Sequence, residues 1–210
     1  MSELKVNKIS PRSGTDVTLG DSGDTFTLGS GANIAGLTLS DNILFDTASK
    51  GIYLGVTSAT ASNLLDDYEE GTWTPVYKGS TTDPVVTYAS FSYGTYTKIG
   101  NMVHIQSQMA IASLTSVGSG DMRIGGLPFA IKPNTGSGTN SSTVSIGSNN
   151  DWGSNNHPSH GLIGSSVQAI SLFKFPADPQ DELVTVTASG MLSGGNDNGI
   201  SFSGCYITDE

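Results

Sequence analysis

The chain has 210 residues, a net charge of −10 and 13% charged residues, about half the usual share. Its nine basic residues are scattered singly, which excludes a phosphate-binding patch and with it nucleic acid as a partner. A single cysteine, Cys205, excludes an intrachain disulfide, and no apolar run is long enough to span a membrane.

The N-terminus, "MSELKVNKIS", lacks the apolar stretch of a secretory signal, so synthesis in a cytoplasm is expected. Residues 1–57 then alternate short apolar pairs with turn residues: Val17/Leu19, Phe26/Leu28, Leu37/Leu39 and Ile52/Leu54. Thr-Leu-Gly occurs at 18–20 and 27–29, "LTLS" echoes it at 37–40, and "GDSGD" and "GSGAN" separate the units. This is a degenerate β-repeat. Each unit offers only two apolar side chains on a very short strand, too little surface for one chain to enclose. Several identical chains around one axis solve this, and a cyclic homotrimer is the expected form. The region therefore reads as a short trimeric β-repeat stalk.

Residues 58–72, opening "SATASNLLDDYEEG", carry the chain's one helical pattern. Ser62 fits an N-cap, Asp66 favours the first turn, and Gly71 fits a stop. Leu64, Leu65 and Tyr68 share an apolar stripe on such a helix. A short helical neck is expected, with these three residues at the trimer contact. A helix this short needs a partner.

Residues 73–210 are long enough for a β domain. Val103, Ile105, Met109 and Ile111 alternate with His104, Gln106, Gln108 and Ala110, with Ser107 the exception on the apolar side, the period of a half-buried strand. "KIGN" before it fits a hairpin turn. Further strands are expected at 121–125, 143–147, 166–175, 182–188 and 200–208, and "LPF" at 127–129 breaks a strand. Trp73 and Pro75 are expected to open the first strand. Strands at this density predict a β-sandwich, jelly-roll-like. The fold class is all-β: stalk, neck and C-terminal knob.

Four carboxylates, Asp66, Asp67, Glu69 and Glu70, crowd into the neck. Glycoside hydrolysis needs two carboxylates facing each other across a bond, and neighbours on a helix diverge. An acidic, solvated or inter-chain-paired collar is expected instead. There is no GxSxG, no cysteine–histidine pair and no P-loop lysine. His157 and His160 flank Pro158 at i,i+3 but lack the further ligands of a closed metal site. No catalytic residue, cofactor or metal is expected. The loop "GSNNDWGSNNHPSH", 147–160, sets Trp152 among amides and imidazoles. An aromatic face with amide and carboxylate partners suits a sugar ring, and loops on a β scaffold carry such sites. Asn149, Asn150, Asp151, Trp152, Asn155, Asn156, His157 and His160 are the candidate receptor contacts. The alternative open to Trp152 is to pack beneath its own loop or against a neighbouring chain.

Two parts of the chain, the N-terminal stretch and a later series of motifs, carry a resemblance. "LKVNKISPRSGTDVTLGDSGDTFTLGSGANI", residues 4–34, is similar to the opening of tail-fibre and related proteins of tailed bacteriophages, marine ones especially. "NLLDDYEEGTWTPV", "GTYTKIGNMVHIQ", "IGGLPF" and the final "FSGCYIT" resemble, in order and spacing, the junction and head of phage fibres. The resemblance implies a homotrimeric structural virion protein rather than an enzyme. Its N-terminal region, with Leu4, Val6 and Ile9, would attach to other virion proteins, tail or capsid. Its head would meet a host-surface glycan or protein during adsorption. A purely structural head-fibre, collar or tail appendage is the alternative, and a small polysaccharide depolymerase the third.

Overall fold

A computed structural model describes residues 13–14, 42–45, 47–133, 142–164, 166–178 and 182–209. Leu4, Val6, Ile9 and the first three apolar pairs of the repeat lie outside the described residues. The chain divides into two units, Met1–Leu44 and Phe45–Glu210. Of the first, the described residues are a bend at Ser13–Gly14 and exposed Asn42–Leu44. All that follows concerns the second.

The second unit opens with a two-stranded ladder. Strand β1 (Ile52–Tyr53) pairs with β2 (Leu64–Leu65), setting Ile52 against Leu65 and Tyr53 against Leu64. Between them lies a single 3-10 turn, Ala61–Asn63. The neck is therefore not a helix. Ser62 lies inside that turn, and Thr60 before it makes no side-chain cap. Leu64 and Leu65 point to opposite sides of a strand instead of sharing a stripe.

The next residues enter the main sheet directly. Strand β3 runs from Tyr68 to Trp73, so it begins inside the expected neck, and Trp73 ends it rather than starting one. The physical reason is cross-strand pairing. Gly71 lies opposite Tyr96, and Trp73 lies opposite Gly94. Each aromatic ring covers its partner's glycine: a Cβ on Gly94 would stand 2.1 Å from the Trp73 indole nitrogen, and one on Gly71 would stand 2.6 Å from the Tyr96 hydroxyl. Gly71 thus makes room for a ring and does not stop a helix. A lone helical turn has no comparable contacts to offset its nucleation cost.

Ten strands follow. They are β4 (Val76–Gly79), β5 (Val85–Tyr88), β6 (Tyr93–Ile99), the fifteen-residue β7 (Met102–Ser116), β8 (Met122–Gly125) and β9 (Ser142–Asn150). Then come β10 (His160–Gly164), β11 (Ala169–Lys174), β12 (Val184–Thr185) and β13 (Asp197–Ile207). Together with β3 they form one antiparallel sheet in the order β3-β6-β7-β13-β9-β10-β11-β8-β4, with β5 beside β7 and β12 beside β11. The all-β class holds, and the two layers are halves of one curled sheet. The two outermost strands of this order, β3 and β4, are consecutive in the chain and are joined by Thr74 and Pro75. The sheet must therefore curl until its ends meet at that corner.

The core fills the curl. Val103, Ile105 and Met109 from β7 and Phe202 and Tyr206 from β13 pack with Met122, Ile124, Ile163, Ile170 and Leu172 from the other half. The alternation on β7 matches the expected strand, the β6–β7 link is Gly100–Asn101 within "KIGN", and β8 stops before "LPF". Backbone and hydroxyl tie that last segment down: the Phe129 amide donates to the Tyr206 hydroxyl at 3.1 Å.

Replacing Gly94 by alanine places a methyl where the Trp73 ring lies. Stability should fall by about 1–3 kcal/mol, the usual cost of overpacking, as measured by urea unfolding. An unchanged midpoint would mean that Trp73 does not lie on Gly94.

Candidate functional site

The loop between β9 and β10 divides into an inner and an outer part. Trp152 is only 3% exposed and belongs to the core. Its indole N–H donates to the Gly199 carbonyl at 3.0 Å, and its ring meets Tyr77 edge-on at 5.8 Å. Trp152 therefore cannot present a face to a sugar. The indole is the largest side chain of the loop, and Gly199 supplies the partner that its N–H requires. Asn156 is also buried, because it braces a neighbouring segment. Its amide donates to the Thr187 carbonyl at 2.8 Å and accepts from the Thr187 N–H at 3.0 Å.

Below the loop, Asn198 is fully buried at φ +51°, where β13 bulges. It satisfies each of its groups: its backbone N–H donates to Asp151, and its side chain exchanges two hydrogen bonds with Leu192. Its carbonyl accepts from the Tyr77 hydroxyl. Asn is one of the few residues that tolerate this left-handed backbone. Loop, bulge and β4 are thereby locked together.

The outer part of the loop lines a groove of about 680 Å³. One wall is Asn149, Asn155, His157 and Pro158; the other is Lys174, Phe175 and Pro176, where β11 ends. Asn155 and Asp151 take left-handed backbone (φ +58° and +54°), which turns the chain sharply between the walls. The Asn149 amide donates to the Pro158 carbonyl at 2.8 Å, and its oxygen lies 2.8 Å from His157 Nδ1. Lys174 Nζ donates to the Asn155 carbonyl and so closes one end. No carboxylate is among the described residues that line the groove.

Phe175 is 73% exposed. It is held out by a short stack: His160 lies parallel to Phe173 at 5.7 Å and leans on Phe175 at 5.7 Å. His160 is thus half-buried support, with Nδ1 2.9 Å from the Ser159 hydroxyl. The two histidines engage different partners. Phe175 and Lys174 were absent from the expected contacts. The available signal was "FKFP", an aromatic directly before a proline, which ends a strand.

The acid cluster is drawn apart by β3. Alternation sends Glu69 to the core side and Glu70 to the outer side. Glu69 accepts from the Tyr96 hydroxyl, Glu70 from that of Tyr68, and Asp67 pairs with Lys98. Lys98 is buried and lies over the Phe129 ring at 5.4 Å. Glutamates on opposite faces of a strand cannot flank one glycosidic bond.

No protein-family model matches this chain, and no curated protein does. Among solved structures it is similar to the Dettilon tailspike protein (gp208), with a TM-score of 0.49 and 20% identity. The similarity covers 67% of this chain and 24% of the tailspike, so the chain spans about a quarter of that protein's length.

Burial pushes the Tyr77 phenol well above its ordinary value of 10, and Tyr88 is raised for the same reason. The unfolded chain then loses these protons first. Stability is full below pH 10 and falls as the pH rises above it. In Tyr77→Phe the alkaline fall should be shallower in urea midpoints taken between pH 9 and 11. An equal slope in both proteins would place Tyr77 outside the core.

Proposed function

We propose that this chain is a homotrimeric virion fibre protein of a tailed bacteriophage. Its N-terminal region attaches it to other virion proteins. Its curled β domain presents the groove at Phe175 to a host-surface glycan and does not cleave it.

Two lines support this reading. The ordered series "DDYEEGTWTP", "YTKIGN", "GLPF" and "FSGCYIT" resembles fibre heads. The observation that carries the binding function is the exposed Phe175 ring in a groove with the Asn149, His157 and Lys174 side chains. A pyranose ring offers an apolar face to an aromatic and a rim of hydroxyls to amides, imidazoles and an ammonium. The supports of this groove are already hydrogen-bonded within the protein, so little ordering is needed when a ligand arrives.

The test is binding of labelled full-length protein to susceptible cells. Phe175→Ala should weaken binding about 2- to 10-fold, the loss of one aromatic contact. Undiminished binding would contradict the groove. New reducing ends released from purified surface polysaccharide would overturn the non-enzymatic reading.

A further inference from the structure

We propose that the glycan taken by the groove at Phe175 is an anionic one, and that the Lys174 ammonium holds its charged group, a carboxylate, sulfate or phosphate. The inference rests on the glycan-binding reading above and adds the class of sugar.

The sign of the groove comes from what its cation lacks. Lys78, Lys98 and Lys132 each pair with a carboxylate, those of Asp83, Asp67 and Asp209. Lys174 instead donates to a neutral backbone carbonyl, that of Asn155. An ammonium carries three donors and no acceptor, so two N–H groups stay available to a ligand. Lys50 and Arg123, the other described Lys and Arg residues, do not line the groove.

No described acid answers this charge within the groove. The described acids nearest in the chain are Asp151, Asp178 and Glu182, and none of them lines it. The loop wall is engaged within the protein. The Asn149 amide donates to the Pro158 carbonyl, its oxygen meets His157 Nδ1, and the Ser159 hydroxyl donates to the Phe173 carbonyl. A neutral sugar needs acceptors for its hydroxyl protons as well as donors, and carboxylates are the side chains that only accept. A groove with an ammonium and no described carboxylate matches a ligand that brings its own negative charge. It disfavours an amino sugar, whose ammonium would meet that of Lys174.

The placement of the charge suits such a sugar. Phe175 directly follows Lys174, where β11 ends, and both line the groove. A pyranose lays its apolar face on an aromatic ring and carries its acidic substituent at the rim. One residue thus meets the face and its neighbour meets the rim.

The rest of the chain narrows the choice further. At −10 overall, it repels an anionic polymer wherever its acids are exposed. Charges more than about 8 Å apart are largely screened at physiological salt, so Lys174 sets the potential of the groove locally. Repulsion elsewhere then confines an anionic ligand to this site, which is a means of specificity.

The test is equilibrium binding of full-length protein to surface polysaccharide purified from susceptible cells. The polymer is used as isolated and after carboxyl reduction, desulfation or dephosphorylation, each done separately, and these arms name the anion. At least one treatment should weaken wild-type binding about 10-fold or more, the worth of one charge-assisted hydrogen bond. Lys174→Gln, checked as folded by circular dichroism, should bind native and treated polymer alike. Lys174→Arg should keep the preference because it keeps the charge. Binding that survives all three treatments yet still falls in Phe175→Ala would overturn the anionic ligand and leave the groove standing. Binding that neither the treatments nor Phe175→Ala weakens, or no binding at all, would overturn both. A preference for native polymer that persists undiminished in Lys174→Gln would place the anion elsewhere and overturn the proposal.

Discussion

The corner at Trp73, Thr74 and Pro75 governs the β domain. β3 and β4 are neighbours in sequence yet occupy the two far edges of a strand order that includes most of the described strands. Only a sheet curled on itself satisfies a two-residue link between its ends. The curl then creates an inside, which the apolar residues of β7, β13, β8 and β11 fill. Two glycine–aromatic pairs make the first pairing possible, since Trp73 and Tyr96 each need a partner without a side chain. An acid-rich segment becomes a strand because its aromatic and glycine complements wait on β6.

The groove inherits its shape from that curl. β9 and β10 join the two halves of the sheet, and their connecting loop is pinned from beneath by Trp152, Asn156 and Asn198. The buried residues of the loop thus act as foundations, and the exposed ones face the groove. Division of labour of this kind is expected where a loop must be rigid enough to bind yet reach solvent. Phe175 shares the logic: its ring stands out because His160 and Phe173 stack behind it.

Much of the fold was legible from local signals. The alternation from Val103 to Ile111, the "KIGN" turn and the "LPF" break are carried by residues adjacent in sequence, and each matches the structure. What was not legible depends on distant partners. Tyr68–Trp73 has weak strand character by itself, and its helical appearance came from spacing alone; β6, more than twenty residues on, decides it. Trp152 reads as a contact residue until Tyr77 and Gly199 are placed around it. Asn156 was indistinguishable from its polar neighbours, because nothing local marks the one that meets Thr187. The groove was half legible: the loop side was found, while Lys174 and Phe175 were hidden in the end of a strand.

The central claim is that the groove between Asn149 and Phe175 receives a glycan. Amide and aromatic chemical-shift mapping of isotopically labelled protein, titrated with polysaccharide from susceptible cells, tests it most directly. Perturbations confined to Asn149, His157, Lys174 and Phe175 are the predicted result. Perturbations centred outside this groove, or none at saturating polysaccharide, would contradict it.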